Sequence, residues 1–361
     1  MNAPDARELL ALAADAAAAA GRLLADQGAQ ARPEVVETKS SLTDVVTEMD
    51  RRAEALITER IRAARPGDAI LGEEGGETHG APGPQEAWAP SSPAAVRWIV
   101  DPLDGTVNYL YGLADWAVSI AAEVAGTIVA GVVAVPLHGE TFLAVRGQGA
   151  WLHSTAERGS ATEIPAAAGS AGAAGQPGPG GQPGPGRPPA TAGSPGTGAL
   201  AAAGGPPATA GSPGVGGQPG PGGPPATAGS PGTGALRLRS TRGVPLGQAL
   251  VGTGFGYLPG RRRVQGEVVA ALLPQIRDIR RGGSASVDLC MVAAGRLDAF
   301  YERGLNYWDY AAGALVAAEA GARVTGLAGR PVGTSMTVAA GPGLYEELTA
   351  VLAALNPERD A

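Results

Sequence analysis

The chain has 361 residues, enough for one large domain or two ordinary ones, so a sizeable hydrophobic core is within its reach. A single cysteine, Cys290, excludes an intramolecular disulfide framework and a cysteine-rich zinc site, and three histidines leave little room for a histidine metal cluster. A formal net charge of −7 argues against a broad basic surface, so neither nucleic acid nor an anionic membrane is an expected partner.

The first ten residues carry Asp5 and Glu8 and no cationic start before an apolar run, so no secretory signal is expected and the cytoplasm is the expected location. The apolar stretches are broken by charges or glycines within about 18 residues, too soon for a membrane span. Apolar residues at helical spacing predict a helix over 5–27, and a second over 47–64, stopped by Pro66 and Gly67. The polar stretch 39–46 between them reads as extended. Short apolar runs at 69–72 and 96–100 predict buried strands that end at acidic residues, and 116–154 reads as an antiparallel meander punctuated by glycine turns. Later elements follow as a strand at 248–254, helices at 262–276 and 286–294, a strand at 298–301 and a helix at 308–320. Strands at 324–325 and 336–340 and a closing helix at 343–355 complete the series.

Residues 166–236 differ in kind: they hold no Asp or Glu, no aromatic residue and one charge, Arg187. The nonapeptide PPATAGSPG recurs at Pro188, Pro206 and Pro224, and GQPGPG at Gly175, Gly181 and Gly217. Glycine does not fall at every third position, which excludes a collagen helix, and so little apolar surface cannot offset ordering entropy. A disordered Gly/Pro-rich insert is expected, with domain segments of 1–160, 161–236 and 237–361. Strands on both sides of it place it at a hairpin tip, where loop length costs little.

The chemistry concentrates in WIVDPLDGTVNY, residues 98–109. A strand delivers Asp101 to its end, Pro102 forces a turn, and Asp104 follows. Converging carboxylates repel unless a cation lies between them, which points to a divalent metal; an Asx-type turn with a helix cap is the plainer reading. The three-residue separation differs from the DxD spacing of haloacid dehalogenase-like enzymes and disfavours a nucleophile and acid pair on one strand face. Gly105 and Thr106 offer backbone N–H groups and a hydroxyl suited to an anion. Glu73 and Glu74 follow another short strand, and Asp309 opens a helix, where each is also a common solvated or capping carboxylate.

These blocks resemble the inositol monophosphatase family: GEE at 72–74, DPLDGTVNY at 101–109, GGSAS at 282–286, WDYAAG at 308–313, and KSSLTDVVTEMD at 39–50, in family order. The resemblance implies an α/β, layered αβαβα sandwich of the inositol monophosphatase/fructose bisphosphatase type and a homodimer. It also implies hydrolysis of a small phosphate monoester with two or three Mg²⁺ ions. Glu73, Asp101 and the Leu103 carbonyl would hold one ion and Asp101, Asp104 and Asp309 a second, with Glu73 shared by a looser third. Asp50 and Thr106 would prepare the attacking water, with Glu73 beside them in the catalytic set. Asp104, Gly105, Thr106, Gly283, Ser284, Ala285, Glu302 and Asp309 would contact substrate.

Inositol 1-phosphate is the leading substrate; fructose 1,6-bisphosphate, histidinol phosphate and 3′-phosphoadenosine 5′-phosphate are alternatives, and lithium inhibition is a family expectation. Arg280 and Arg281 are read either as attracting a second phosphate or as surface charge, and Lys39 either as steadying the metal loop or as solvated. Asn306 stands where several relatives carry histidine. Cys290 is expected to be buried without a catalytic role, and Trp98 and Trp308 to wall the site. A scaffold acting through the repeat insert is the non-enzymatic alternative.

Overall fold

The computed structural model describes residues 4–28, 35–38, 45–79, 95–155 and 234–360. These all belong to one compact unit made from residues 1–157 and 226–361; a second unit, 158–225, falls outside the described residues. So do the expected insert up to residue 233, and Lys39.

In chain order the elements are α1 (Ala6–Gly28), β1 (Val35–Thr38), β2 (Val45–Thr47), α2 (Glu48–Ala64), β3 (Ala69–Gly72), β4 (Gly76–Thr78), β5 (Val96–Asp104) and α3 (Thr106–Leu110). Next come β6 (Ala117–Val124), β7 (Thr127–Val135), β8 (Glu140–Val145), β9 (Gly149–Ser154) and β10 (Leu236–Arg237). The chain ends with β11 (Leu250–Thr253), α4 (Pro259–Leu272), β12 (Asp278–Arg280), α5 (Ala285–Ala293), β13 (Ala299–Glu302), α6 (Tyr307–Glu319), β14 (Arg323–Thr325), β15 (Thr337–Ala340) and α7 (Leu344–Leu355).

Two sheets carry the architecture: an eight-stranded one in the order β10-β9-β8-β7-β6-β5-β3-β4, and a five-stranded one in the order β12-β11-β13-β15-β14. Alternation along the strands sends successive side chains to opposite faces, so each sheet is apolar on both and needs cover on both. On β5, Trp98 and Val100 join Leu9, Leu24, Ile57 and Ile61 of α1 and α2. Ile99, pointing the other way, joins Phe142, Leu289, Val316 and Phe300, the core built on α5 and α6 between the sheets. On the far side of the small sheet, Val251, Tyr301 and Val338 pack with Leu272 of α4 and Leu348 of α7. The layers therefore run α-β-α-β-α, the fold class expected.

α6 approaches the large sheet closely at Gly131, where an added Cβ would stand 3.1 Å from Ala312 Cα. β9 and β10 pair antiparallel, Leu236 opposite Leu152 and Arg237 opposite Trp151.

Three details differ from the sequence reading. The helix expected over 262–276 starts at Pro259, a residue suited to the first helical position, and gives way to a 3₁₀ turn over Leu273–Gln275 that contains Pro274. β4, β12 and the single-turn α3 are too short to leave a periodic signal. Trp98 does not wall the site: it is fully buried in the α1/α2 layer, where its indole N–H donates to Asp68 at 2.9 Å.

Candidate active site

β3 and β5 are parallel neighbours, with Gly72 opposite Val100. Their carboxyl ends thus deliver the next residues, Glu73 and Asp101, side by side, and the Glu73 N–H donates to Val100 O at 3.1 Å. Beyond Asp101, β5 bulges. Asp101 faces Ser119 and Asp104 faces Ala117 on β6, so three steps on one strand answer two on the other. Pro102, which has no N–H, sits inside the bulge, and the Leu103 N–H turns back to Asp101 Oδ1 at 3.0 Å. The extra residue cancels the half-period offset, and both carboxylates enter one cleft despite their odd spacing.

That cleft has a volume of about 400 Å³, within the usual range for a small-molecule site. Glu73, Asp101, Leu103, Asp104, Gly105, Thr106, Gly283, Ala285, Glu302 and Asp309 all line it, and so does Trp308. Ser284 does not. It is buried behind the cleft wall, where its hydroxyl donates to Asp104 Oδ2 at 2.6 Å, and the Ser286 N–H reaches the same oxygen at 2.7 Å. Asp50 is also buried, in the first turn of α2, and accepts a hydrogen bond from Thr106 Oγ1 at 3.1 Å. The same hydroxyl lies 3.1 Å from the Leu103 carbonyl. Gly105 takes a left-handed φ of 95° and presses against Asp115 O, which an added Cβ would approach to 3.0 Å.

Asp309 is the third residue of α6, and its Oδ2 accepts the Asn306 N–H at 2.7 Å. Asn306 thus serves the helix start. Arg281 lines the cleft, whereas Arg280 is exposed and pairs with Asp278 at 2.6 Å. Cys290 is fully buried in α5, which pushes its thiol well above the usual range.

Burial pushes Asp101 well above the ordinary carboxylate range, and repulsion from Glu73, Asp104 and Asp309 adds to it. Asp309 rises for the same reasons, with burial first and then Asp104 and Glu73. Asp104 is raised by burial and drawn back by the hydrogen bonds from Ser284 and Ser286. Buried carboxylates that repel one another, with a backbone carbonyl beside them, form a hard oxygen donor set that suits a divalent cation such as Mg²⁺. Among the described residues no three such side chains already close around a single point. The fit rests on donor chemistry and shared repulsion.

Three neighbours of the site had no role assigned from the sequence, although Asn108 lies inside the 101–109 motif. Asn108 joins the two halves of the site, its amide donating to Asp115 O at 2.5 Å and Gly282 O at 2.9 Å. Glu54 of α2 accepts the N–H groups of Glu74 at 2.9 Å and Gly75 at 2.7 Å, and so holds the turn that carries Glu73. Asp288 is buried on α5 and is pushed up to about 8, by burial first and then by Asp104. An ionisable residue inside the apolar run Val287–Val292 was the available clue to it.

A family model described as the inositol monophosphatase family matches residues 5–173 and 227–359. The chain is 39% identical over 322 residues to "Inositol-1-monophosphatase SuhB" of Mycobacterium tuberculosis strain H37Rv, covering 89% of this chain and 82% of that protein. It is 29% identical over 323 residues to "Nus factor SuhB" of Escherichia coli K12, covering 89% and 86%. Among solved structures, Mycobacterium tuberculosis SuhB matches with a TM-score of 0.64 at 33% identity, over 99% of this chain and 100% of that one. The extragenic suppressor protein suhB of Bartonella henselae matches with a TM-score of 0.64 at 27% identity, over 96% and 98%.

Proposed function

This chain belongs to the inositol monophosphatase family of metal-dependent phosphatases, and on that premise we propose that it hydrolyses inositol 1-phosphate to myo-inositol and phosphate with Mg²⁺. The observation that carries the reading is the convergence of Glu73, Asp101, Asp104 and Asp309 in one cleft that Thr106 also lines, with Asp50 behind it bonded to Thr106. Glu73, Asp101, Asp104, Asp309 and the Leu103 carbonyl are the residues that would hold two or three ions. Bound Mg²⁺ would supply Lewis acidity and neutralise charge on the phosphoryl oxygens and the leaving oxygen.

The protein's own part is positional. The Thr106 hydroxyl has one proton and two acceptors, Asp50 Oδ1 and Leu103 O, each at 3.1 Å. When that proton points at Asp50, the Thr106 oxygen can accept from the attacking water, which places the water in line and passes proton density toward a buried carboxylate. The backbone at Gly105 and Thr106, and at Gly283 to Ala285, is assigned to the phosphate and ester oxygens; Ser284 serves by holding Asp104. Glu302 is pushed up to about 8, by burial first and then by Asp288. Near neutral pH its carboxyl is protonated, so it can both donate to and accept from polyol hydroxyls without repelling the phosphate.

Released phosphate, measured with Mg²⁺ and again with excess chelator, tests this. Fructose 1,6-bisphosphate, histidinol phosphate and 3′-phosphoadenosine 5′-phosphate run alongside. Metal-dependent turnover led by inositol 1-phosphate is expected, and no release from any of the four would sink the assignment. A homodimer in the cytoplasm completes the proposal. Tyr111, Leu113 and Leu137 are exposed on segments joined by the His138–Asp115 contact at 3.3 Å, an apolar patch suited to a second copy. Sedimentation of the folded protein as a monomer at micromolar concentration would remove that part.

A further inference from the structure

The large sheet brings Glu73, Asp101 and Asp104 to the cleft, whereas Glu302 enters it from the small sheet. β11 and β13 are parallel neighbours with Thr253 opposite Tyr301, so their carboxyl ends deliver Gly254 and Glu302 side by side. Gly254 has to be a glycine here, because an added Cβ would fall on the Glu302 carboxylate. From Gly254 the chain runs to Leu258 without regular structure before α4 begins at Pro259, and each of these five loop residues lines the cleft.

A loop of this kind holds its shape only if its backbone groups find partners. Gln265 of α4 supplies them. Its side chain is buried, its amide oxygen accepts the Gly256 N–H at 3.0 Å, and its amide N–H₂ donates to the Gly254 carbonyl at 3.3 Å. Exchanging the two amide atoms would set donor against donor and acceptor against acceptor, so the orientation is fixed by the pair of bonds. Between the two bonded glycines stands Phe255, so one side chain grips the loop on both flanks of a cleft-lining residue. Arg262 adds a contact to Gly256 O at 3.2 Å, but from the exposed surface. Gln265 itself stands behind the cleft wall and does not line it. Both of its bonds go to the loop, and neither goes to the elements that carry Glu73, Asp101, Asp104 and Asp309.

We infer that Gln265 is a positioning residue for the alcohol half of the substrate: by pinning Gly254 and Gly256 it fixes the place of Glu302 and of the wall at Phe255 and Tyr257. It thereby sets the affinity for a ring-sized polyol without touching it. This rests on the phosphatase assignment above. The phosphoryl end of the cleft, built on other elements, is independent of Gln265.

The test uses full-length protein with Mg²⁺ and two esters, inositol 1-phosphate and glycerol 2-phosphate, whose short open-chain alcohol offers Glu302 and the loop far less to hold. Gln265→Met keeps the side-chain length and loses both bonds. In this variant KM for inositol 1-phosphate should rise by about tenfold with kcat within about threefold, while KM for glycerol 2-phosphate changes by less than about twofold. Mg²⁺ titrated calorimetrically into the same variant should bind as it does in the wild type. Gln265→Glu keeps the shape and the acceptor for Gly256, so it should fall between the wild type and Gln265→Met, and it serves as the test if the methionine variant is unstable.

A wild-type KM for inositol 1-phosphate in a folded variant would overturn the proposal, because the amide would then serve stability alone. So would equal rises on both esters, or a loss of Mg²⁺ affinity, either of which would mean that the whole site had moved. Wild-type protein that releases phosphate from neither ester would instead strike the phosphatase assignment itself.

Discussion

Asp104 Oδ2 receives two donors, the Ser284 hydroxyl and the Ser286 N–H, and only the first can be removed without touching the backbone. Ser284→Ala is expected to weaken divalent-cation binding by about 10- to 100-fold, the usual cost of losing an outer-shell partner. Calorimetric titration of Mg²⁺ into the folded variant reads this directly, and wild-type affinity would contradict it. Glu54 does the same work for Glu73 at one remove. Its carboxylate fills space that Gly72 and Gly75 leave open, where added Cβ atoms would come to 2.5 and 2.6 Å of its oxygens. Glu54→Gln presents an amide N–H₂ to an N–H donor and should cost about 1–3 kcal/mol of stability, with weaker Mg²⁺ binding alongside. An unchanged unfolding midpoint together with an unchanged metal titration would refute this account. The sequence exposed Glu73, Asp101, Asp104 and Asp309, because acidic residues at strand ends and a helix start are conspicuous, while Glu302 and the Gly283–Ala285 turn came with the family resemblance and Arg261 and Arg303 were not found. It did not expose those that stand behind the cleft: Glu54 and Asp288 read as ordinary helical charges until packing shows them buried.

Among the elements, the β5 bulge decides whether the site exists at all. The ends of β3 and β5 were legible, since apolar runs stop abruptly at Glu73 and Asp101. How Asp101 and Asp104 come to share a face was not, because strand periodicity alone puts residues three apart on opposite sides. The turn before α5 is a second such device. Gly283 has φ +98°, and an added Cβ would meet the Asn108 amide at 2.8 Å, the group that ties this turn to the Asp101–Thr106 motif. Gly283→Ala should cost about 1–2 kcal/mol from the backbone alone and more from displacing Asn108. A fall in turnover of about tenfold or more with an intact circular dichroism spectrum is the expected result.

At the scale of the molecule, five layers with buried carboxyls at their centre make stability depend on pH in an unusual direction. Glu302 and Asp288 are pushed up to about 8 in the folded protein, from ordinary values of 4.5 and 3.8. Between those limits the folded chain binds more protons than the unfolded one, so stability falls as pH rises from about 4 to 8. Metal-free protein should therefore melt at a lower temperature at pH 8 than at pH 5, and Asp288→Asn should flatten the slope; a rising midpoint would reverse the argument. The layer order came with the family resemblance rather than from periodicity, whereas the pairing of β9 with β10 matches the hairpin expected from the strands on either side of the repeat. That pairing also means residues 161–233 can be exchanged for a short glycine and serine turn, with turnover expected to stay within about twofold.

The same layering has a consequence for synthesis. Glu73, Asp101 and Asp104 leave the ribosome long before Ser284, Ser286 and Asp309, and α5 and α6, the filling between both sheets, come from the later half. A prematurely terminated chain would hold three mutually repelling acids with neither their hydroxyl support nor the fourth carboxylate. On the proposed assignment, hydrolysis would begin only once Asp309 has been made and α5 and α6 fill the space between the sheets, so chains that end before Asp309 should be inert.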